Sequence, residues 1–391
     1  MVEVKEVKTK RELKKFVDFP NKLYADCEQY IPPLFADDLA DWNPKKNPAF
    51  EYCEAKCFLA YREGEIVGRI AAILNHRANE KWNTKRMRFS QVDFIDDYEV
   101  SEALFAAVED FAREKGCTEV HGPLGFCDLD REGMLVEGFE HKSMFITYYN
   151  HPYYIEHLAR LGYAKDIDWI ERRIEAPKDE KSVEIISKTA DYVLKKLNLH
   201  IADIRRQSQY GKYVMQVFRL VNLAYAPLYG TVELSERQIK RYARKFGPLI
   251  NPKLTCFVMD EKNEMVAFGI AAPSMADALK KTRGRLFPLG WFYVLRALHK
   301  NDTMDLFLIA VHPRLCGTGV NAIIIDHVLK GVREMGIKYA ETGPMLENNL
   351  PIQSQWKYFK SIQHKRRRCF IKNIGIKPDE GHNEPSSQKD D

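Results

Sequence analysis

Apolar and polar positions along this chain fall into short strands and amphipathic helices. The clearest stretch runs from Asp305 to Gly336. Residues 306–311 are an unbroken apolar run, short enough for a strand buried on both faces. Pro313 ends it, and Arg314-Leu315-Cys316-Gly317-Thr318-Gly319 reads as a turn. From Val320 onward Ile324, Ile325, Val328, Leu329 and Val332 make a dry face, while Asp326, Lys330, Arg333 and Glu334 make a wet one. Gly336 stops that helix.

The rest of the chain predicts two similar passes. In the first, strand 2–7 and helix 10–16 precede a proline-rich surface loop at 31–50. Strands 57–62 and 66–74 flank a Glu-Gly-Glu hairpin, followed by strand 87–94, helix 99–115 and strand 118–121. A glycine-containing loop reaches Asn150, a helix opens at Pro152, and strand 164–175 closes the unit. Residues 176–181 read as a linker. The second pass has helix 183–197, strand 200–205, helices 213–225 and 233–246, and a hairpin of 254–259 with 265–271. After the 305–336 stretch come strand 339–342, a helix from Pro351 through Phe359, and strand 365–371. The end, 376–391, is polar and reads as a disordered tail.

Three correspondences join the passes. Arg113-Glu114-Lys115-Gly116 matches Arg333-Glu334-Met335-Gly336 at an offset of 220, and Gly122-Pro123 matches Gly343-Pro344 at 221. Asn150-His151-Pro152 echoes Asn349-Leu350-Pro351 before a helix. Ordered matches at equivalent places point to a duplicated unit. The expected fold is α+β, with two mixed-sheet domains in tandem, 1–175 and 182–375, each a mostly antiparallel central sheet flanked by helices.

Composition narrows this little. The chain has 391 residues, 45% apolar and 29% charged, and a net charge of +5. No run of about 18 apolar residues predicts a membrane span. The densest, 286–298, is broken by Pro288, Gly290 and Arg296 and reads as a buried or partly covered helix. The eight cysteines are scattered, so a reduced, cytoplasmic setting and no metal site are expected. The basic run Lys365-Arg366-Arg367-Arg368 reads as a solvated strand edge, with neither nucleic-acid nor membrane binding.

The 314–319 turn carries the chemistry. A strand that passes through glycines into a helix leaves the first helical N–H groups unpaired, and the helix dipole there favours an anion. A third glycine in dinucleotide-loop spacing is missing, as is a Gly-Lys-Ser/Thr ending. Arg-x-x-Gly-x-Gly after a strand and before a helix resembles the coenzyme A pyrophosphate loop of the GNAT superfamily of acyltransferases. The order of elements in each unit resembles the GNAT fold over most of the chain, and the specific likeness lies between Asp305 and Phe359.

That resemblance implies acetyl-CoA as co-substrate and a small-molecule or peptide amine as acceptor. It assigns the pantetheine arm and thioester carbonyl to the backbone of Ile309 and Val311. The pyrophosphate falls to the amides of Cys316, Gly317, Thr318, Gly319 and Val320, with charge from Arg314, and Asn349 is a further cofactor contact. Tyr358 stands where many relatives carry a thiolate-protonating tyrosine. Glu341 is the leading base, with Asp305 and His312 as others. Applying the 220 offset puts Asp96-Asp97-Tyr98-Glu99 where the second unit has its glycines, so the first unit is expected to lack a coenzyme site. Tyr148, Tyr149, Tyr153, Tyr154, His151 and His157 form either an acceptor groove or a packed helix start. The acidic loop 127–141 is a second acceptor candidate. Two alternatives stay open: a Fem-type aminoacyl-tRNA-dependent transferase, which tandem GNAT-like units also resemble, and a non-catalytic CoA-binding module. Oligomeric state is not legible.

Overall fold

The structure is a computed structural model that describes residues 1–177 and 179–375. The expected tail at 376–391, and Lys178 of the expected linker, lie outside the described residues.

The first pass gives β1 (Glu3–Glu6), α1 (Lys10–Leu23), α2 (Phe35–Asp41), β2 (Cys53–Arg62), β3 (Glu65–Asn75), α3 (His76–Trp82), β4 (Arg86–Phe94), α4 (Tyr98–Glu114), β5 (Glu119–Gly122), β6 (Met134–Glu137), α5 (Tyr153–Arg160) and β7 (Ala164–Glu175). The second gives α6 (Glu180–Lys196), β8 (His200–Ile201), α7 (Val214–Tyr225), α8 (Glu236–Phe246), β9 (Thr255–Met259), β10 (Met265–Pro273), α9 (Ala276–Thr282), α10 (Gly290–His299), β11 (Thr303–Val311), α11 (Asn321–Met335), β12 (Tyr339–Thr342), β13 (Met345–Leu346), α12 (Leu350–Ser354) and β14 (Ser361–Asn373). The 31–50 segment is not the surface loop expected. It holds α2 and buries Ile31, Trp42 and Ala49, because its prolines sit at element ends around apolar anchors.

The strands of the described residues join one mixed sheet, in the order β1-β2-β3-β4-β5-β14-β7-β12-β11-β10-β9-β8, with β6 paired to β14 and β13 to β7 beside this path. The duplication is visible in it. β4 and β5 run parallel, as do β11 and β12, while the flanking pairs are antiparallel. Gly116 and Gly336 both take left-handed φ, +70° and +69°, just beyond α4 and α11. Each long helix also lies on a glycine of a central strand. A Cβ on Gly68 of β3 would stand 2.7 Å from Leu104 of α4, and one on Gly269 of β10 would stand 2.3 Å from Ile324 of α11.

The units exchange their closing strands. β14, from the end of the chain, lies between β5 and β7 of the first pass, and β7 pairs with β12 of the second. The basic run 365–368 is therefore no solvated edge. Lys365 and Arg367 are 0% exposed on one face, where both pair with Glu171. Arg366 and Arg368 pair with Asp168 on the other. Strand alternation puts two cations on each side of the sheet, and each side supplies buried carboxylates for them.

Candidate active site

β11 and β12 part company early. Their parallel pairing covers only Thr303–Leu306 against Tyr339–Thr342, and Gly343 N–H then donates to the Leu306 carbonyl at 3.0 Å. β11 continues to Val311 held only by β10. His312 N–H donates to Val266 O at 2.8 Å, so antiparallel alternation turns the peptide groups of Ala310 and His312 toward β10. Those of Ile309 and Val311 turn into the gap. The Ile309 carbonyl already accepts a hydrogen bond there, from the Tyr225 hydroxyl of α7 at 3.0 Å.

The turn between β11 and α11 needs its glycines. Gly317 and Gly319 have φ of +79° and +88°, a region that side chains disfavour. The amides of Gly317, Gly319, Val320 and Asn321 have no partner among the described residues. Those of Cys316 and Thr318 differ from expectation. They close tight turns onto Pro313 O and Leu315 O, because the segment winds as successive three-residue turns. Thr318 also binds Leu315 O through its hydroxyl, and the exposed Cys316 thiol lies beside His312 O. Arg314 is steadied beside the turn by Asp260, at 3.0 Å.

A cavity of 870 Å³ opens at the β11–β12 gap, and its walls are overwhelmingly apolar. Phe268 packs among Val217 and Phe218 of α7, while the next residue, Gly269, faces Ile324 of α11. The two helices therefore cover opposite faces of the sheet. Ile324 and Val328 of α11 and Val217 and Phe218 of α7 all line the cavity, so it passes through the sheet at the gap. Ile309 and Asn349 line it too. Asn349 is also the cap of α12, its side chain accepting from Ile352 N–H.

The acidic loop supplies the polar groups. Asp128, Asp130 and Glu132 line the cavity. Asp130 is spoken for: it accepts from the Tyr242 hydroxyl at 2.7 Å and from the amides of Phe126 and Cys127. Asp128 and Glu132 have no side-chain or ionic partner in another described residue. Burial pushes the Asp128 carboxyl up to about 6. Burial, then the nearby Asp128 charge, raises Glu132 further above the usual range. Asp128 lies close enough to Tyr225 to raise the phenol, after burial. One unpaired carboxyl is therefore pushed up to about 6, within electrostatic reach of the hydroxyl that touches Ile309. Sequence reasoning named the loop but could not single out Asp128, since only folding carries the first unit's loop into the second unit's cavity.

Four residues with expected roles find no support for them in the geometry. Tyr358 is 70% exposed and does not line the cavity. The segment there is a 3-10 turn, which points Trp356 and Phe359 at the cavity and Tyr358 at solvent. Glu341 points to the other face of β12, into the buried Lys365 cluster. Burial would raise its carboxyl, but the His364 hydrogen bond and the Lys365 charge hold it at about 2, too low for a base at neutral pH. Asp305 is buried on that same side, pushed up to about 7 by burial and then by Glu341, and away from the cavity. His312 caps the Pro313 turn by accepting from Arg314 N–H.

The first unit is built differently at the equivalent place. Asp97 caps α4 and pairs with Arg62, so the helix start is already occupied by a carboxylate. Beside its own strand gap lies a pocket of 50 Å³, lined in part by Trp42, which donates to Gln91. The Tyr/His cluster is packed helix start. Tyr154 stacks on Phe94 at 4.1 Å, His157 bonds Ser101, and none of the six residues lines the large cavity.

No protein-family model matches the sequence. The chain is 26% identical to Protein YghO of Escherichia coli K12 over 375 residues, 93% of this chain and 94% of that one. It is 28% identical to the bacterial ceramide synthase of Caulobacter vibrioides over 293 residues, 74% of each. Among solved structures it superposes on a tandem GNAT protein from the clavulanic acid biosynthesis pathway, with a TM-score of 0.56 and 12% identity, over 96% of this chain and 99% of that one. None of the helices among the described residues is long and apolar enough to cross a membrane. The chain therefore has the tandem GNAT fold, two such units sharing one sheet.

Proposed function

We propose that this protein is an acyl-CoA-dependent N-acyltransferase that uses a long acyl chain and an amine carrying an apolar tail. The observation behind this is the apolar cavity of 870 Å³ through the β11–β12 gap, with two unpaired carboxyls in its wall. An acetyl group and a small polar amine would leave most of that space unfilled, so the acetyl donor expected from sequence gives way to a longer one. The relative named a ceramide synthase, whose name denotes an N-acylated lipid amine, is in keeping with this.

In this reading the free amides of Gly317, Gly319, Val320 and Asn321, with Arg314, hold the pyrophosphate. The peptide groups of Ile309 and Val311 hold the pantetheine arm, and an N–H there polarises the thioester carbonyl. Asp128 takes a proton from the amine, whose nitrogen attacks the carbonyl carbon. The C–N bond forms, the C–S bond breaks, and the thiolate leaves with a proton from Tyr225. Asp128 then returns its proton to Tyr225. The first unit contributes the base rather than a second coenzyme site.

The test is incubation of the protein with palmitoyl-CoA and a long-chain amino alcohol, followed by mass spectrometry for the N-acyl product. Absence of product under conditions where the protein binds the acyl-CoA would sink the transferase reading and leave a binding module.

A further inference from the structure

Between β10 and β11 the chain exposes an apolar surface that the transferase chemistry does not use. Phe287 (81%), Leu289 (64%), Phe292 (51%), Trp291 and Leu295 (each 47%) all stand in solvent at α10 and the loop before it. The sequence pattern predicts a buried or partly covered helix here. Val294 is indeed buried, and Tyr293 and Leu298 pack inward with Leu279. The outer face is equally apolar, however, and no described residue covers it. Clustered exposed side chains of this size on one helix mark an interaction surface.

The charges around it identify the partner. Residues 276–302 carry six Lys and Arg (Lys280, Lys281, Arg283, Arg285, Arg296, Lys300) against two acidic residues, Asp277 and Asp302, the first of them paired with Lys142. Arg285 pairs with Asp18, while Lys281, Arg283, Arg296 and Lys300 have no ionic partner among the described residues. A helix with Trp, Phe and Leu outward and cations at its margins is the pattern of an element lying in a membrane interface, not of one crossing it. A second copy of this chain fits less well, since the same cationic rims would meet.

The surface also adjoins the cavity. Ile146, Phe246, Leu249 and Phe307 pack in one cluster with α9 and α10, and the same four side chains line the cavity wall. From these observations we infer that α10 and its preceding loop dock the protein on the surface of an anionic phospholipid bilayer, beside the cavity. This departs from the absence of membrane binding expected from composition, because burial of one helix face cannot be read from an apolar run alone.

The test uses the full chain without acyl-CoA, so its outcome is independent of the transferase reading. Sedimentation with phosphatidylcholine vesicles containing phosphatidylglycerol should pull the protein down, and salt should weaken this. Trp291 fluorescence should be quenched by brominated lipid, with most of the quenching lost in Trp291→Phe. Each of Phe292→Ser and Leu295→Ser should lower partitioning roughly tenfold, since about half of each side chain stands in solvent. Circular dichroism checks folding. Equal partitioning of the variants, quenching independent of Trp291, or a loss of dimer rather than of vesicle binding would each overturn the proposal.

Discussion

The cavity makes a quantitative demand on the donor. Lengthening the acyl group adds methylenes that leave water for apolar walls, at about 0.8 kcal/mol each, or roughly fourfold in binding. A cavity of 870 Å³ lies near the top of the range for small-molecule sites, ~300–1,000 Å³. It can take a chain on the order of ten carbons, for a ceiling of about 8 kcal/mol. Imperfect contact with the wall and the ordering of a flexible chain reduce this, so about half is a fair expectation. With a fixed long-chain amine, kcat/KM should therefore rise about two- to fourfold per methylene from acetyl-CoA toward dodecanoyl-CoA, then level off. The assay is product formation by mass spectrometry across the donor series. Val217→Trp, which adds bulk to the α7 wall, should move the plateau to shorter donors while leaving the shortest nearly unaffected. A profile that is flat or best at acetyl-CoA would refute the argument, since the apolar wall would then contribute nothing to donor choice.

Three further outcomes follow from the same geometry. Gly317→Glu puts a carboxylate and a disfavoured φ at the turn, so titration calorimetry should detect no CoA binding while the melting temperature changes little. Asp128→Asn should lower kcat by about 10²–10⁴ and remove an acidic limb near pH 6 from the rate profile. In the wild type, activity should rise with pH through that value as the carboxyl loses its proton. The folded form holds this proton more tightly than the unfolded chain. Stability should therefore fall as pH rises from about 4 to about 6, and Asp128→Asn should be the more stable protein at pH 8, by up to about 3 kcal/mol in denaturant melts. Lys365→Met leaves Glu171 and Glu341 facing each other's charge without their shared cation, and should cost about 3–5 kcal/mol in urea unfolding.

The sequence by itself determined the local pieces. An apolar run, a glycine turn and an amphipathic face fixed β11, the 314–319 turn and α11, because strand and helix periodicity is written in neighbouring residues. The matched glycines at 116 and 336 revealed the duplication, since a left-handed residue after a helix strongly favours glycine. The tertiary structure alone decided which segments meet. The pattern at 365–368 shows four cations in a row, but not that this strand enters the middle of the sheet between β5 and β7, where Glu171 and Asp168 are waiting. Glu341 occupies the expected strand, but its face of that strand points away from the gap, and Tyr358 lies in a 3-10 turn where a helix is expected and faces solvent. Asp128 reached the cavity from the other half of the chain. Strand and helix periods record only which way a side chain points relative to its neighbours, whereas the exchange of β7 and β14 brings together residues nearly 200 positions apart, and no local pattern encodes that pairing.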